Sequence, residues 1–222
     1  MNHNRRDFLK GAAAMGAFAT FGPALIHAAS SSRKPNIVFI LADDLGWSDL
    51  GCYGSKINKT PHLDTLAKQG MRFTQAYAAA PVCGPTRASL MTGVFPARIG
   101  ALNWGGCTVP PERTTLAEAL QKGGYQTGFF GKWHLGGTAT TLPEAHGFDS
   151  NVAGCGWGQP KSYFSPYKHP TLKDGPEGEY LTDRLTDDAI KFIETNQKKP
   201  FVLYMSHYGV HWPFQAKAED IR

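Results

Sequence analysis

The sequence has little cysteine: Cys52, Cys83, Cys107 and Cys155 are four in 222 residues, with no C-x-x-C spacing among them. That argues against a zinc site built on thiolates. Two disulfides are the most these cysteines could form in an exported protein, and one pair if Cys83 has another use. Charge is also sparse, at 18% of residues and a net +5, and no long basic run is present, so nucleic acid is not an expected partner. No stretch offers the ~20 apolar residues that cross a bilayer. The nearest, Gly11 to Ile26, is moderately hydrophobic and broken at Gly22-Pro23, so no stable membrane span is expected.

What is present is an ordinary globular composition, 41% hydrophobic, with 25 glycines for tight turns. The length allows one or two domains. Residues 1–29 stand apart as a targeting segment. Asn4-Arg5-Arg6-Asp7-Phe8-Leu9-Lys10 resembles the twin-arginine export signal, with Asn where Ser or Thr is usual, and cleavage is expected near Ala28 or Ala29. Such signals route folded proteins across a bacterial membrane, so an exported protein, periplasmic or secreted, is expected. No cysteine stands at the cleavage point to take a lipid. Removing this segment leaves 20 basic against 17 acidic residues, a mild surplus compatible with an anionic substrate.

The remainder alternates between strand and helix patterns, which implies an α/β protein with a mostly parallel sheet and helices on both faces. Pro35 to Ala42 is a continuous apolar run and reads as a buried parallel strand. It ends in Asp43 and Asp44. Adjacent carboxylates at a strand's carboxyl end suit a hard divalent cation, or simply a solvated turn; Asp49 nearby reads as a loop residue. Thr60 to Gly70, with Pro61 at the first helical position, predicts a helix that carries His62 in its first turn. Met71 to Ala78 alternates partly and reads as a strand. Thr115-Leu116-Ala117-Glu118 is a capping box opening a helix to about Lys122. Tyr125 to Phe130 predicts a strand that delivers Lys132 and His134 to one side of an extended segment. Residues 137–178 read as a long loop, holding His146, Cys155 and His169 without assigned roles. Thr182 to Asn196 has helical periodicity, and Pro200 to Ser206 is a strand leading to His207 and His211.

Between these elements lies Pro81-Val82-Cys83-Gly84-Pro85-Thr86-Arg87, followed by Leu90-Met91-Thr92-Gly93. A short helix is predicted from roughly Thr86 to Met91, with Cys83 near its N-terminus, where unpaired N–H groups favour an anion. Arg87 adds a planar fork that matches a tetrahedral oxyanion. On spacing alone this is an anion-friendly turn with a small apolar cysteine. The pattern C-x-P-x-R, in this longer setting, resembles the signature of the formylglycine-dependent sulfatases. Gly124 to Gly136, with Gly131-Lys132-Trp133-His134, resembles that family's second signature, departing from it at Phe130. His211-Trp212-Pro213 resembles the family's later H-x-P histidine better than His207 does.

The resemblance implies an alkaline-phosphatase-like fold and a sulfuric ester hydrolase acting on sulfated sugars or aryl sulfates. It implies that Cys83 is oxidised to formylglycine by a formylglycine-generating enzyme, and that Asp43, Asp44 and the modified Cys83 hold a divalent cation, Ca²⁺ before Mg²⁺. Arg87 and Lys132 would neutralise developing charge, His134 would orient or deprotonate the nucleophile, and His211 would protonate the leaving alcohol. The alternatives are a related phosphodiester or phosphonate hydrolase and a truncated non-catalytic remnant. The family completes its metal site with a later Asp-Asn pair and adds a second lysine, and neither follows His211 here. Residues 30–222 are therefore expected to be the N-terminal portion of a sulfatase catalytic domain.

Overall fold

The computed structural model describes residues 34–103 and 107–221. The export signal expected in residues 1–29 lies outside the described residues. The chain divides into two units, Met1–Lys34 and Pro35–Arg222, and the fold below is that of the second.

Four parallel strands form one sheet in the order β1-β4-β2-β3. They are β1 (Ile37–Leu41), β2 (Gln126–Gly131), β3 (Ser150–Val152) and β4 (Phe201–Ser206). Strand β4 is flanked on both sides, with Phe39 and Phe129 both opposite Tyr204. All six of its residues are buried. A run such as Phe-Val-Leu-Tyr-Met-Ser needs that environment, because both faces of a central parallel strand are covered.

Among the described residues the α-helices are α1 (Pro61–Gln69), α2 (Cys83–Thr92), α3 (Leu116–Lys122) and α4 (Leu181–Asn196). Side-chain alternation along β4 assigns them to faces. Phe201, Leu203 and Met205 pack with Phe130 against Leu185, Ala189 and Phe192 of α4. Tyr204 points the other way, into a cluster with Phe129, Trp133, Ala88 and Met91 of α2 and Ala117 of α3. The expected α/β sheet with helices on both faces is thus the observed one. The capping box at α3 is complete: the Glu118 amide donates to the Thr115 hydroxyl at 3.1 Å, and the Thr115 amide donates to the Glu118 carboxylate at 2.8 Å.

Several elements differ from expectation. Strand β1 is parallel but not buried; it lies at the sheet edge, and Val38 and Ile40 are 50% and 59% exposed. Met71 to Ala78 forms no strand: these residues are exposed and have no strand partner. Residues 137–178 are not all loop, since β3 and a 3₁₀ turn at Pro143–His146 lie within them; three strand residues are too few to show a period. Thr60 stands at the N-cap of α1, where a threonine hydroxyl commonly accepts from a helix amide, but it makes no such bond and donates to Asp64 at 3.0 Å. Helix α2 begins at Cys83 itself rather than near Thr86.

One glycine is required by the sheet. Gly131 has φ +104°, and a Cβ there would lie 1.9 Å from the Ser206 carbonyl oxygen. That close approach lets the Lys132 amide donate to the same oxygen at 2.8 Å. Gly131→Ala combines backbone strain with overpacking, so a loss of about 2–4 kcal/mol is expected in urea unfolding. An unchanged midpoint would contradict this reading of the junction.

Candidate functional site

Parallel strands place their carboxyl ends on one side of the sheet, and the loops leaving those ends carry the site. Strand β1 leads into Asp43 and Asp44, β2 into Lys132 and His134, and β4 into His207 and His211. Backbone hydrogen bonds extend the β1–β4 pairing past the strands: His207 donates to Leu41 at 2.8 Å, Asp43 to Gly209 at 2.9 Å, and Val210 to Asp43 at 2.7 Å. Helix α2 meets this edge with its first turn, bringing Cys83 and Arg87 in.

Asp43 is the hub. It is 5% exposed, and its Oδ1 accepts from Arg87 Nη2 at 3.1 Å while its Oδ2 pairs with Lys132 Nζ. Lys132 is fully buried. Arg87 Nη1 also donates to the Lys132 carbonyl at 2.7 Å and to Ser206 Oγ at 2.6 Å. Both terminal guanidinium nitrogens thus donate to protein acceptors, while the buried Nε–H has no partner among the described residues. The guanidinium therefore ties α2 to the ends of β1, β2 and β4, a positioning task that its sequence setting did not suggest. One carboxylate faces two cations in this cluster, which leaves a buried surplus of one positive charge. Such a surplus favours an approaching anion.

Cys83 is half-buried, and its Sγ lies 3.4 Å from His134 Nδ1. His134 has φ 58°, a left-handed conformation that is uncommon without glycine, and its amide donates to the Cys155 carbonyl at 3.0 Å. Burial, and then the neighbouring Lys132 and Arg87 charges, push its imidazole down to about 4. The ring is therefore neutral near pH 7 and has a lone pair to accept a proton. Asp44, also left-handed at φ 59°, is exposed, with its Oδ2 3.6 Å from His211 Nε2. His211 Nδ1 faces the Trp212 carbonyl at 3.0 Å.

The remaining candidates separate from this cluster. Asp49 accepts from the Gly46 amide at 2.8 Å within its own loop. His62 is exposed on α1. Burial lowers the affinity of His146, His169 and His207 for a proton. His169 Nε2 lies 3.1 Å from the Tyr208 hydroxyl and 3.5 Å from Cys155 Sγ, which makes it part of the packed interior. Cys52, Cys83, Cys107 and Cys155 are all free thiols.

For a divalent cation the donor chemistry is partly right. Asp43 and Asp44 supply hard oxygens, but Ca²⁺ takes six to eight of them. Both Asp43 oxygens already face cations. Among the described residues no three Asp, Glu, His or Cys side chains gather as a metal-holding group. Asp43, Asp44 and Cys83 do not form a closed ligand set by themselves.

Sequence reasoning missed Ser206 and Gly158. The Ser206 hydroxyl donates to the Lys132 carbonyl at 2.8 Å while accepting from Arg87. Gly158 lies against the His134 ring, where a Cβ would stand 2.9 Å from Cε1. The position of Ser206 at the end of a predicted strand was the available signal; nothing local marks Gly158.

Comparison with known proteins points one way. The family model described as Sulfatase matches residues 35–221, and the model of the twin-arginine translocation pathway signal sequence matches residues 2–22. An arylsulfatase of Hemicentrotus pulcherrimus is 36% identical over 206 residues, covering 80% of this chain and 37% of its own length. An N-acetylgalactosamine-6-sulfatase of Rattus norvegicus is 35% identical over 232 residues, covering 86% of this chain and 42% of its own. The solved structure of Ps i-CgsB in complex with k-i-k-neocarrahexaose superposes with a TM-score of 0.76 at 37% identity, over 85% of this chain and 48% of that one. The chain thus spans less than half the length of these relatives.

Proposed function

This chain belongs to the sulfatase family, and from that membership and the geometry around Cys83 we propose that it hydrolyses sulfate esters of sugars or aryl alcohols. The carrying observation is the half-buried Cys83 on the first turn of α2, within 3.4 Å of a neutral His134 and beside a buried Asp43–Arg87–Lys132 cluster with surplus positive charge. The names of the relatives support the substrate class: an arylsulfatase, an N-acetylgalactosamine-6-sulfatase, and a structure holding an oligosaccharide. The twin-arginine match supports export. Residues 1–29 are proposed as the segment removed on the way, leaving a catalytic-domain portion from residue 30.

In this reading Cys83 is converted to formylglycine before export by a formylglycine-generating enzyme. The modified residue supplies a hydrated aldehyde, a nucleophile that can also release sulfate. A divalent cation, Ca²⁺ before Mg²⁺, would be held by Asp43, Asp44 and the oxygen at position 83 with ligands beyond those described. Such an ion lowers the pKa of a bound hydroxyl. The protein's own side chains do the rest. His134 Nδ1 faces position 83 and accepts a proton there. Burial is the larger cause that holds His134 low; an anion at position 83 offsets the smaller part that comes from the Lys132 and Arg87 charges. Lys132 supplies positive charge behind the ester oxygens, and Arg87 holds Asp43 and the α2 turn in register. His211, at the open side next to Asp44, gives a proton to the departing alcohol oxygen.

Mass spectrometry of the Cys83 peptide, together with release of sulfate from an aryl sulfate, tests the proposal. Loss of the sulfur and gain of an oxygen at position 83, with turnover, is expected. Faster cleavage of phosphonate or phosphodiester analogues would transfer the reading to that neighbouring class. The incomplete donor set is the observation that favours a non-catalytic reading; an unconverted Cys83 with no cation binding would establish it.

A further inference from the structure

A cavity of about 530 Å³ lies beside the two candidate histidines. Residues 156–161 and Trp212 line it. Its wall reaches His134 through Gly158, whose missing side chain leaves the imidazole edge in contact with the loop backbone. It reaches His211 through Trp212, whose ring centroid is 6.1 Å from that imidazole. Through these two neighbours the cavity adjoins His134, which faces Cys83, and His211.

The lining is specific in character. Trp212 is 54% exposed, an indole presented to solvent beside the site. Lys161 Nζ stands 4.9 Å from the centre of the Trp157 ring, held there by cation–π attraction, while the Trp157 ring packs edge-on against His169. Among the described residues no carboxylate lines the cavity, so none of them offsets the Lys161 ammonium within it. An exposed indole offers an amphipathic face for a sugar ring, and an ammonium anchored on an aromatic ring offers a point charge for an anion. The volume is in the range of small-molecule sites.

Resting on the sulfate-ester reading of Cys83, we propose that this cavity is a saccharide subsite for a substrate with a second anionic group, the ring lying on Trp212 and the anion meeting Lys161. The substrate class is then a multiply charged oligosaccharide rather than a simple aryl sulfate. That anion is a sulfate or a carboxylate, which are separable by probe.

The test titrates the chain, with Cys83 kept as the thiol so that nothing is consumed, against three disaccharides: one monosulfated, one disulfated, and one carrying a sulfate and a uronate. At least one doubly charged probe is expected to bind roughly tenfold tighter than the monosulfated one, and which one does so identifies the anion. Lys161→Met removes that preference while leaving monosulfated binding within about twofold, and Lys161→Arg restores it. Trp212→Ala weakens all three saccharides but leaves methyl sulfate binding unchanged. Equal binding of the three probes, no binding of any, or equal weakening of all three by Lys161→Met overturns the subsite. Failure of the sulfatase reading shows separately, as a preserved binding order with no sulfate released by protein carrying the converted residue.

Discussion

Cys83→Ala is expected to lower sulfate-ester turnover by on the order of 10⁴ to 10⁶-fold while leaving the fold intact. The two halves of that expectation have different origins. The loss of turnover follows from the role proposed for position 83, because the other side chain on the first turn of α2 with a nucleophilic atom, Thr86, has its hydroxyl donating to the Ala80 carbonyl at 2.9 Å. The preserved fold follows from packing. Cys83 is half-buried, and its Sγ makes one long contact, 3.4 Å to His134 Nδ1. The core beneath the turn is built from Ala88 and Met91, which the substitution does not touch. Stability should stay within about 0.5 kcal/mol, read from urea unfolding. His134→Ala should cost about 10² to 10⁴-fold alone. Added to Cys83→Ala it should cost almost nothing more, since groups that act as one unit are strongly non-additive. Normal turnover by Cys83→Ala would end the proposal.

Much of this site was legible in short stretches of sequence. Cys83 to Arg87 and Gly131 to His134 are local patterns, and each sits where a strand or helix end must deliver side chains to one edge of a parallel sheet. The sheet was legible for the same reason, since Phe201 to Ser206 and Thr127 to Gly131 are buried on both faces and their composition records it. Strand β1 shows where this fails. Ile37 to Leu41 has the composition of a doubly covered strand, yet only Phe39 and Leu41 are even half-buried, Phe39 stacked on Tyr204 with centroids 4.6 Å apart. Composition reports what a strand tolerates, not which neighbours it meets. Met71 to Ala78 fails similarly, because alternation makes a strand only beside another strand edge. The roles of Arg87 and Ser206 were hidden by distance. A guanidinium and a hydroxyl 119 positions apart share one hydrogen bond, and no local window contains both.

Asp43→Asn is expected to destabilise the fold by about 3–5 kcal/mol, the largest stability effect of any single change at the site. The substitution keeps shape and volume, so no cavity contributes. What it removes is the one negative charge between two cations. Lys132 is fully buried and has Asp43 as its carboxylate partner, so its ammonium would be left in the interior facing a neutral amide. Arg87, 3% exposed, would keep its bonds to the Lys132 carbonyl and Ser206 Oγ but lose its charge partner. Those retained bonds make the two cations unequal, and that yields a sharper test. Adding Lys132→Met to Asp43→Asn deletes the stranded ammonium while its carbonyl continues to accept from Arg87. The double variant should be less destabilised than the sum of the two single changes, with a coupling of about 0.5–3 kcal/mol in the double-mutant cycle. Free sulfate provides an independent readout. With Asp43 neutralised, the buried surplus grows from one positive charge to two, so added sulfate should raise the unfolding midpoint of Asp43→Asn more than that of the unaltered chain. Additive single effects with no sulfate dependence would mean that Asp43 packs at this junction without organising its charge.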